Sequence, residues 1–173
     1  SDELGTSLKK SGINLNQMCA HENYQTNVIN SNQSKKSFDI PSYFVAMHHF
    51  HKNDLGYILG DGTVGVCFED TSRIVLDPNE EFVQYYKNYN SFADVINLDE
   101  FVELRDDDYK IEKKISKVQK FAKIFKKMKY LYELERINYD SSLPLHNVKY
   151  FAKNGDSILF KFNDKNIQAI FDD

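Results

Sequence analysis

Short apolar runs fill residues 40–104, and their length and spacing predict strands rather than helices. Turn residues such as Asn53-Asp54, Gly60-Asp61-Gly62 and Asp77-Pro78-Asn79 separate the runs. The predicted strands are residues 43–50, 55–59, 64–68, 73–76, 81–86 and 93–104. Because the connections are tight and parallel pairs need long crossovers, these six strands predict an antiparallel meander.

A second pattern begins near residue 107, where apolar side chains recur at helical spacing. Three acidic residues at positions 106–108 supply an N-cap and a negative first turn, which favour a helix start. The apolar positions are Ile111, Ile115, Val118, Ala122, Phe125 and Tyr132, widened by Phe121, Ile124 and Met128. They predict one long helix over residues 107–137 that buries this stripe against the preceding sheet.

Lysine is concentrated in the same helix. Residues 110–129 hold nine Lys and one Glu, whereas the whole chain has a formal net charge of -4. Most of these lysines fall off the apolar stripe, which favours a solvated helix face. A contact between this face and an acidic partner stays open as the alternative. No nucleic-acid site is expected, because the chain is acidic and no Arg accompanies the lysines.

The end of the chain repeats the pattern of its middle. Residues 58–70 and 161–173 align at an offset of 103, with Asp61 opposite Asp164 and Phe68 opposite Phe171. Strands are predicted at 158–162 and 167–171, and residues 148–151 correspond to the strand around Val45. We expect a repeated β-unit whose second copy continues beyond Asp173.

Three regions follow from these patterns. Residues 1–39 are polar and predict a flexible linker or cap, with a short helix at 4–15 and a mobile stretch at 25–37. Residues 40–140 form the first sheet with its helix, and residues 141–173 begin the second β-unit. No apolar run approaches the ~18 residues of a membrane span, and two Cys indicate a reducing compartment, so we expect no membrane partner.

The motifs in the first sheet indicate no catalysis. Residues 60–65 match G-x-G-x-x-G, but the chain continues as a strand, whereas a dinucleotide site needs a helix there. No kinase catalytic loop or nucleophile motif is present. His48, His49 and His51 lie on one strand and alternate between its faces, so a metal would need further ligands from elsewhere. We expect neither a catalytic site nor a metal or other cofactor.

One series of motifs in residues 40–85 is shared with a known family. It consists of Ile40-Pro41, Leu55-Gly56-Tyr57, Asp61-Gly62, Val64-Gly65-Val66, Phe68, Asp70, Arg73-Ile74 and Gln84-Tyr85. This series resembles the first polo box of polo-like kinases. The Lys113-Lys114-Ile115 helix start and Leu143-Pro144 fit the same family. The resemblance implies an α+β polo-box fold, in which a six-stranded antiparallel sheet packs on one long helix. The first strands of a second polo box would follow.

For function, the resemblance implies a non-catalytic docking module of a polo-like Ser/Thr protein kinase. Such a module binds Ser/Thr-phosphorylated proteins or peptides, restrains a kinase domain in cis and targets it to the centrosome or spindle, in the cytoplasm or nucleus. ATP and Mg would serve only the parent kinase. The alternative is a polo-box scaffold that acts by self-association, for instance as a homodimer, without binding phosphopeptides.

The resemblance also suggests cleft residues. The family has a Trp in its first strand; this chain has none, and the position falls on Met47 or His48. Contacts from the helix would fall on Phe125, Tyr130 and Leu131. The family's phosphate-binding His-x-Lys would come directly after the segment equivalent to 171–173, so we expect these 173 residues alone to bind phosphopeptides weakly.

Overall fold

The computed structural model describes residues 29–30, 43–99, 108–127 and 140–171. The chain divides into two units, one of which is Pro41–Asn147, here called the helix unit. The other, the C-terminal unit, contains Val148–Asp173. The described strands are β1 (Ile29–Asn30), β2 (Val45–His51), β3 (Asp54–Leu59), β4 (Val64–Cys67), β5 (Arg73–Leu76), β6 (Phe82–Tyr86), β7 (Asp94–Asn97), β8 (Val148–Asn154), β9 (Ser157–Phe162) and β10 (Ile167–Phe171); the described helix is α1 (Asp108–Lys126).

The helix unit contains the predicted meander. Its six strands lie in the order β2-β3-β4-β5-β6-β7, and every neighbouring pair is antiparallel. The positions of all six strands were predicted from the sequence, although β7 ends at Asn97 rather than at residue 104. Each strand connects to the next through a short turn, which is why sequence order and sheet order agree.

Helix α1 covers one face of this sheet and packs against β3, β4 and β5. Its predicted apolar stripe is confirmed at Val118, Phe121, Ala122 and Phe125, which are at most 4% exposed. They share a core with side chains from the strands, namely Ile58, Val64, Val66, Ile74, Leu76, Val83 and Tyr85. Ile124, which was predicted to widen the stripe, is instead 55% exposed, because it lies on the side of the helix away from the sheet. The helix was predicted over 107–137; residues 128–137 lie outside the described part of the chain.

Two glycines allow aromatic rings to lie directly on the strands. A Cβ on Gly56 would overlap the ring of Phe121, and a Cβ on Gly65 would overlap the ring of Tyr57. Both rings are buried, Phe121 on the helix side of the sheet and Tyr57 on the other side. Gly56 therefore lets the Phe121 ring of α1 lie against the backbone of β3.

The C-terminal unit repeats the geometry of the helix unit's first three strands. The first strand of each unit has a shift in its pairing register, between Val45 and Met47 in β2 and between Val148 and Tyr150 in β8. The two shifts are 103 residues apart in the sequence. The turns match as well, because Thr63 N–H donates to Asp61 Oδ1 at 2.9 Å and Asn166 N–H to Asp164 Oδ1 at 3.0 Å. The repeat predicted from the sequence is therefore a structural repeat.

Two predictions about segment boundaries need correction. The stretch 25–37 was predicted to be a mobile linker, but Ile29–Asn30 form strand β1, which pairs in parallel with β10. Two residues in a polar stretch carry no periodic signal, so this long-range pairing is not visible in the sequence. The segment 141–147 was assigned to the second β-unit, but it belongs to the helix unit.

We predict that Phe121→Ala lowers the free energy of unfolding of the helix unit by about 3–5 kcal/mol, because it removes a buried ring and leaves a cavity. Ile124→Ala is the matched control, since Ile124 lies on the same helix and is 55% exposed. Urea unfolding of the two variants measures the difference. Equal losses would contradict the packing of α1 described here.

Candidate functional site

Strand β2 carries two of the predicted cleft residues, and it lies at the edge of the six-stranded sheet. Met47 pairs across the ladder with Ile58, and its half-buried side chain packs against the core shared with α1. His48 pairs with Tyr57 and therefore lies on the other face of the sheet. The two candidates for the Trp position thus belong to opposite faces.

His48 is half-buried and stands edge-on to the ring of Phe50, with the ring centroids 6.1 Å apart. Two residues separate them on β2, so both side chains lie on the face of the sheet that α1 does not cover. An imidazole in this position has both a ring face for packing and N–H groups for hydrogen bonding.

Phe125 lies with Met47 on the helix side of the sheet. It is 4% exposed and stacks on Phe121, with centroids 5.8 Å apart and planes 18° apart. Its observed place is the core, so its assignment to a peptide cleft stays a prediction. Tyr130 and Leu131 lie outside the described residues, and their assignment also stays a prediction.

Strand β2 has two further histidines, His49 and His51. His49 faces the helix, 6.4 Å from the ring of Phe121, while His51 is exposed at the strand end. Cys67 is buried, and burial raises the pKa of its thiol to about 12, so the thiol stays protonated. Among the residues that the structure describes, no three His, Cys, Asp or Glu side chains form a group that could hold a metal ion.

Most of the described lysines in residues 110–127 are exposed, as predicted for a solvated face, but some of them reach the sheet. Lys114 Nζ lies 2.6 Å from Asp70 Oδ2 and 2.7 Å from Ser72 Oγ, and its side chain is only 14% exposed. Lys117 forms an ion pair with Asp54. These lysines border the apolar stripe, so their stems can pack at the edge of the core while their ammonium groups reach acids in the sheet turns.

These ion pairs hold the turns of the sheet to the helix. Asp54 also accepts a hydrogen bond at 2.9 Å from the backbone N–H of Glu69, which joins the turn before β3 to the turn after β4. Partial burial alone would raise the pKa of Asp70, but hydrogen bonds from Lys114 and Ser72 outweigh it and hold that pKa below its usual value. Asp70 therefore stays ionised beside Lys114.

The face of the sheet away from α1 buries two polar side chains that hold the segment before β8. Gln84 donates to the carbonyl of Leu143 at 2.7 Å and accepts from the N–H of Leu145 at 2.8 Å. Arg73 is 4% exposed, donates from Nε to Asn147 Oδ1 at 3.0 Å, and lies 3.8 Å over the ring of Tyr86. These contacts explain why residues 141–147 belong to the helix unit.

Sequence reasoning missed this polar anchor. The available signal was a long polar side chain within each of two otherwise apolar strands, Arg73 in β5 and Gln84 in β6. Buried groups of this kind need hydrogen-bond partners, and here backbone groups of a later segment supply several of them.

The turn between β3 and β4 contains a half-buried carboxylate. Asp61 Oδ1 accepts the Thr63 N–H at 2.9 Å, and Gly62 has a φ of 93°, which suits glycine. Burial raises the pKa of Asp61 above 3.8, although hydrogen bonds from Thr63 and the electrostatic effect of His146 oppose the shift. The G-x-G-x-x-G match therefore forms a hairpin turn.

Comparison with known proteins identifies this arrangement of sheet and helix. Residues 51–114, which run from the end of β2 into α1, match the family model described as the POLO box duplicated region. The chain has a polo-box fold. The match agrees with the meander, the helix that covers it and the structural repeat.

A solved structure with the same fold supports this conclusion. It is the budding yeast Cdc5 polo-box domain in complex with the Dbf4 polo-interacting region, with a TM-score of 0.53 and 14% identity, and the match covers 95% of this chain and 57% of that chain. A second crystal structure holds the Cdc5 polo-box domain in complex with an Spc72 phosphopeptide; there the TM-score is 0.44 and the identity 15%, over 99% of this chain and 79% of that one.

A curated relative from Zea mays is named "Probable serine/threonine-protein kinase CCRP1". It is 29% identical over 124 residues, which are 70% of this chain and 19% of the relative. The polo-box chain therefore spans about a fifth of that protein's length. No helix in the described part of the polo-box chain is long and apolar enough to cross a membrane.

We predict that Asp61→Asn stabilises the polo box at pH 7. Because the folded-state pKa of Asp61 is raised above 3.8, the folded protein holds this proton more tightly than the unfolded chain does. Asp61 therefore lowers stability above its folded pKa, and this cost disappears as the pH falls through that value. Asn removes the charge and keeps the oxygen that accepts the Thr63 N–H.

Asp164→Asn is the matched control, because Asp164 occupies the equivalent turn of the C-terminal unit and is exposed. Urea unfolding at pH 7 and pH 4 measures both variants. Asp61→Asn should gain stability at pH 7 and less at pH 4, and Asp164→Asn should gain none. A loss of stability at pH 7 in Asp61→Asn would contradict the assigned cost of the buried charge.

Proposed function

We propose that this polo box is a non-catalytic docking module that recognises Ser/Thr-phosphorylated segments of partner proteins. The observation that carries the proposal is the match of residues 51–114 to the polo-box family. The Cdc5 polo-box domain, whose fold the chain shares, has been crystallised with the polo-interacting region of Dbf4. A docking role for this chain extends that behaviour to a relative of the same fold.

Within this proposal, β2 is the strand that meets the partner. An edge strand can accept an extended peptide, and its alternating side chains then determine which neighbours the peptide meets. Met47 offers a flexible apolar surface on the helix side, and such side chains adapt to varied partners. His48 offers an imidazole on the opposite side, where the family has a Trp.

His48 can contribute to phosphate recognition through its N–H groups. A phosphate ester carries about -1.5 to -2 charge at pH 7, and charge-assisted hydrogen bonds to it are stronger than neutral ones. A protonated imidazole supplies such bonds, and a phosphate close by favours protonation. We therefore propose His48 as a polar contact of the phosphorylated segment, in addition to the phosphate contacts that the family makes elsewhere.

Calorimetry on the full-length protein that contains this chain tests the proposal. The titrants are a phosphothreonine peptide, selected from an oriented library, and its unphosphorylated twin. We expect phosphate-dependent binding, and His48→Ala should weaken it about 10-fold or more, the cost of one charge-assisted hydrogen bond. His51→Ala is the matched control, since His51 lies on the same strand and is exposed; it should leave the affinity unchanged.

Two outcomes would contradict this assignment. Equal binding of both peptides would favour the self-associating scaffold, and light scattering would then show a dimer whose mass depends on protein concentration. Phosphate-dependent binding that His48→Ala leaves intact would keep the docking function but remove His48 from the site.

We further propose that the docking module belongs to a polo-like Ser/Thr kinase and brings it to the centrosome or spindle. The maize relative's name, which includes a kinase activity, supports the link to a kinase. In that protein ATP and Mg would act at the kinase domain. Imaging of a fluorescent fusion in dividing cells tests the location: the wild-type protein should concentrate at these structures, and a diffuse signal would contradict the proposal.

A further inference from the structure

The outward side of α1, together with Lys127 directly after its last residue, carries a row of lysines that the sheet does not use. Lys113, Lys120, Lys123 and Lys127 are all exposed, and we call them the outer lysine face. Their spacings of 7, 3 and 4 residues bring them to one side of a helix with 3.6 residues per turn. Four positive charges therefore follow one side of the helix.

Three acids of the sheet and its turns are paired with other lysines of the helix, while Glu112 is exposed on the helix itself. Lys114 pairs with Asp70, Lys117 with Asp54, and Lys126 with Glu80 at 3.3 Å. Within the described part of the chain, no member of the outer lysine face forms a salt bridge; Lys113 Nζ lies 4.6 Å from the ring centroid of Tyr109. The four positive charges of this face thus outnumber the exposed carboxylate of Glu112, which lies beside Lys113 on the helix.

Two apolar side chains border the row. Tyr109 is 58% exposed one turn before Lys113, and Ile124 is 55% exposed one turn after Lys120. Single exposed apolar residues are ordinary, but beside a row of cations they add apolar contact to an electrostatic surface. A partner that suits this surface carries negative charges with an occasional apolar side chain.

We propose that the outer lysine face binds an extended acidic peptide segment of a partner protein. The row from Lys113 to Lys127 spans 14 helical steps of ~1.5 Å, about 21 Å, which is the length of roughly six residues of extended chain at ~3.3 Å each. Charge complementarity selects an acidic segment. The surface is separate from β2, so the inference goes beyond the docking function and does not depend on it.

A nucleic acid suits this face less well than an acidic peptide does. No Arg is present on α1, although Arg is the residue that best combines phosphate pairing with base stacking. The chain also has a net charge of -4, so a long polyanion would meet repulsion beyond the row of lysines. A short acidic segment avoids most of that repulsion.

Fluorescence anisotropy with a labelled eight-residue peptide of six Glu and two Leu tests the proposal. Lys120→Gln/Lys123→Gln/Lys127→Gln removes three charges from the face, and Gln preserves helix propensity. The control Lys52→Gln/Lys87→Gln/Lys153→Gln removes three exposed charges that lie off α1. Circular dichroism confirms that both variants keep their helix.

The wild-type chain should bind the peptide in a salt-sensitive way, and the face variant should bind about tenfold more weakly. The control variant should bind within about twofold of wild type. A twin peptide with Gln in place of Glu should bind neither variant nor the wild type. No binding by the wild type, equal losses in the two triple variants, or tighter binding of a ten-nucleotide uridine RNA would overturn the proposal.

Discussion

The contact between the Phe121 ring and Gly56 is the constraint on which the rest of the helix unit depends. The ring lies where a Cβ on residue 56 would lie, so the helix approaches the strand at a position that only glycine allows. Phe121 then stacks on Phe125, and both rings join the core shared by the sheet and the helix. Because packed interiors tolerate little change in volume, this contact fixes the depth and rotation of α1 on the sheet.

The rotation of the helix decides what each lysine does. With Phe121 and Phe125 directed into the core, Lys114 and Lys117 come to the edge of the apolar stripe and pair with acids of the sheet turns. Lys120, Lys123 and Lys127 then face away from the sheet. The pairing of β2 with β3 places Met47 on the helix side of β2 and His48 on the opposite side. Helix packing therefore organises the lysine surface, and strand pairing organises the surface on β2.

Much of this fold could be predicted because its signals are local. Strands of four to seven residues with tight turns, and a stripe of apolar residues at helical spacing, each need only a short window of sequence. The repeat at an offset of 103 was likewise visible, and the structure reproduces it in the Asp61 and Asp164 turns. The antiparallel pairing followed from the short connections.

What the sequence did not reveal depends on partners distant in the chain. Strand β1 pairs with β10, and Gln84 holds the segment at Leu143 and Leu145. No periodic pattern encodes such contacts. The candidate site shows the same limit. Alternation along β2 correctly places adjacent side chains on opposite faces, and the apolar stripe predicted the burial of Phe125, but the stacking of Phe125 on Phe121 became visible only in three dimensions. A helical stripe marks a residue as core without excluding a second role in binding.

A double-mutant cycle between residues 56 and 121 tests the central claim most directly. Gly56→Ala should destabilise the wild-type protein by about 1–3 kcal/mol, because its Cβ overlaps the Phe121 ring. In the Phe121→Ala background the overlap is gone, so the same change should be close to neutral, which gives a coupling of about 1 kcal/mol or more. Equal effects of Gly56→Ala in both backgrounds would show that the ring does not lie on the glycine, and would contradict the placement of the helix.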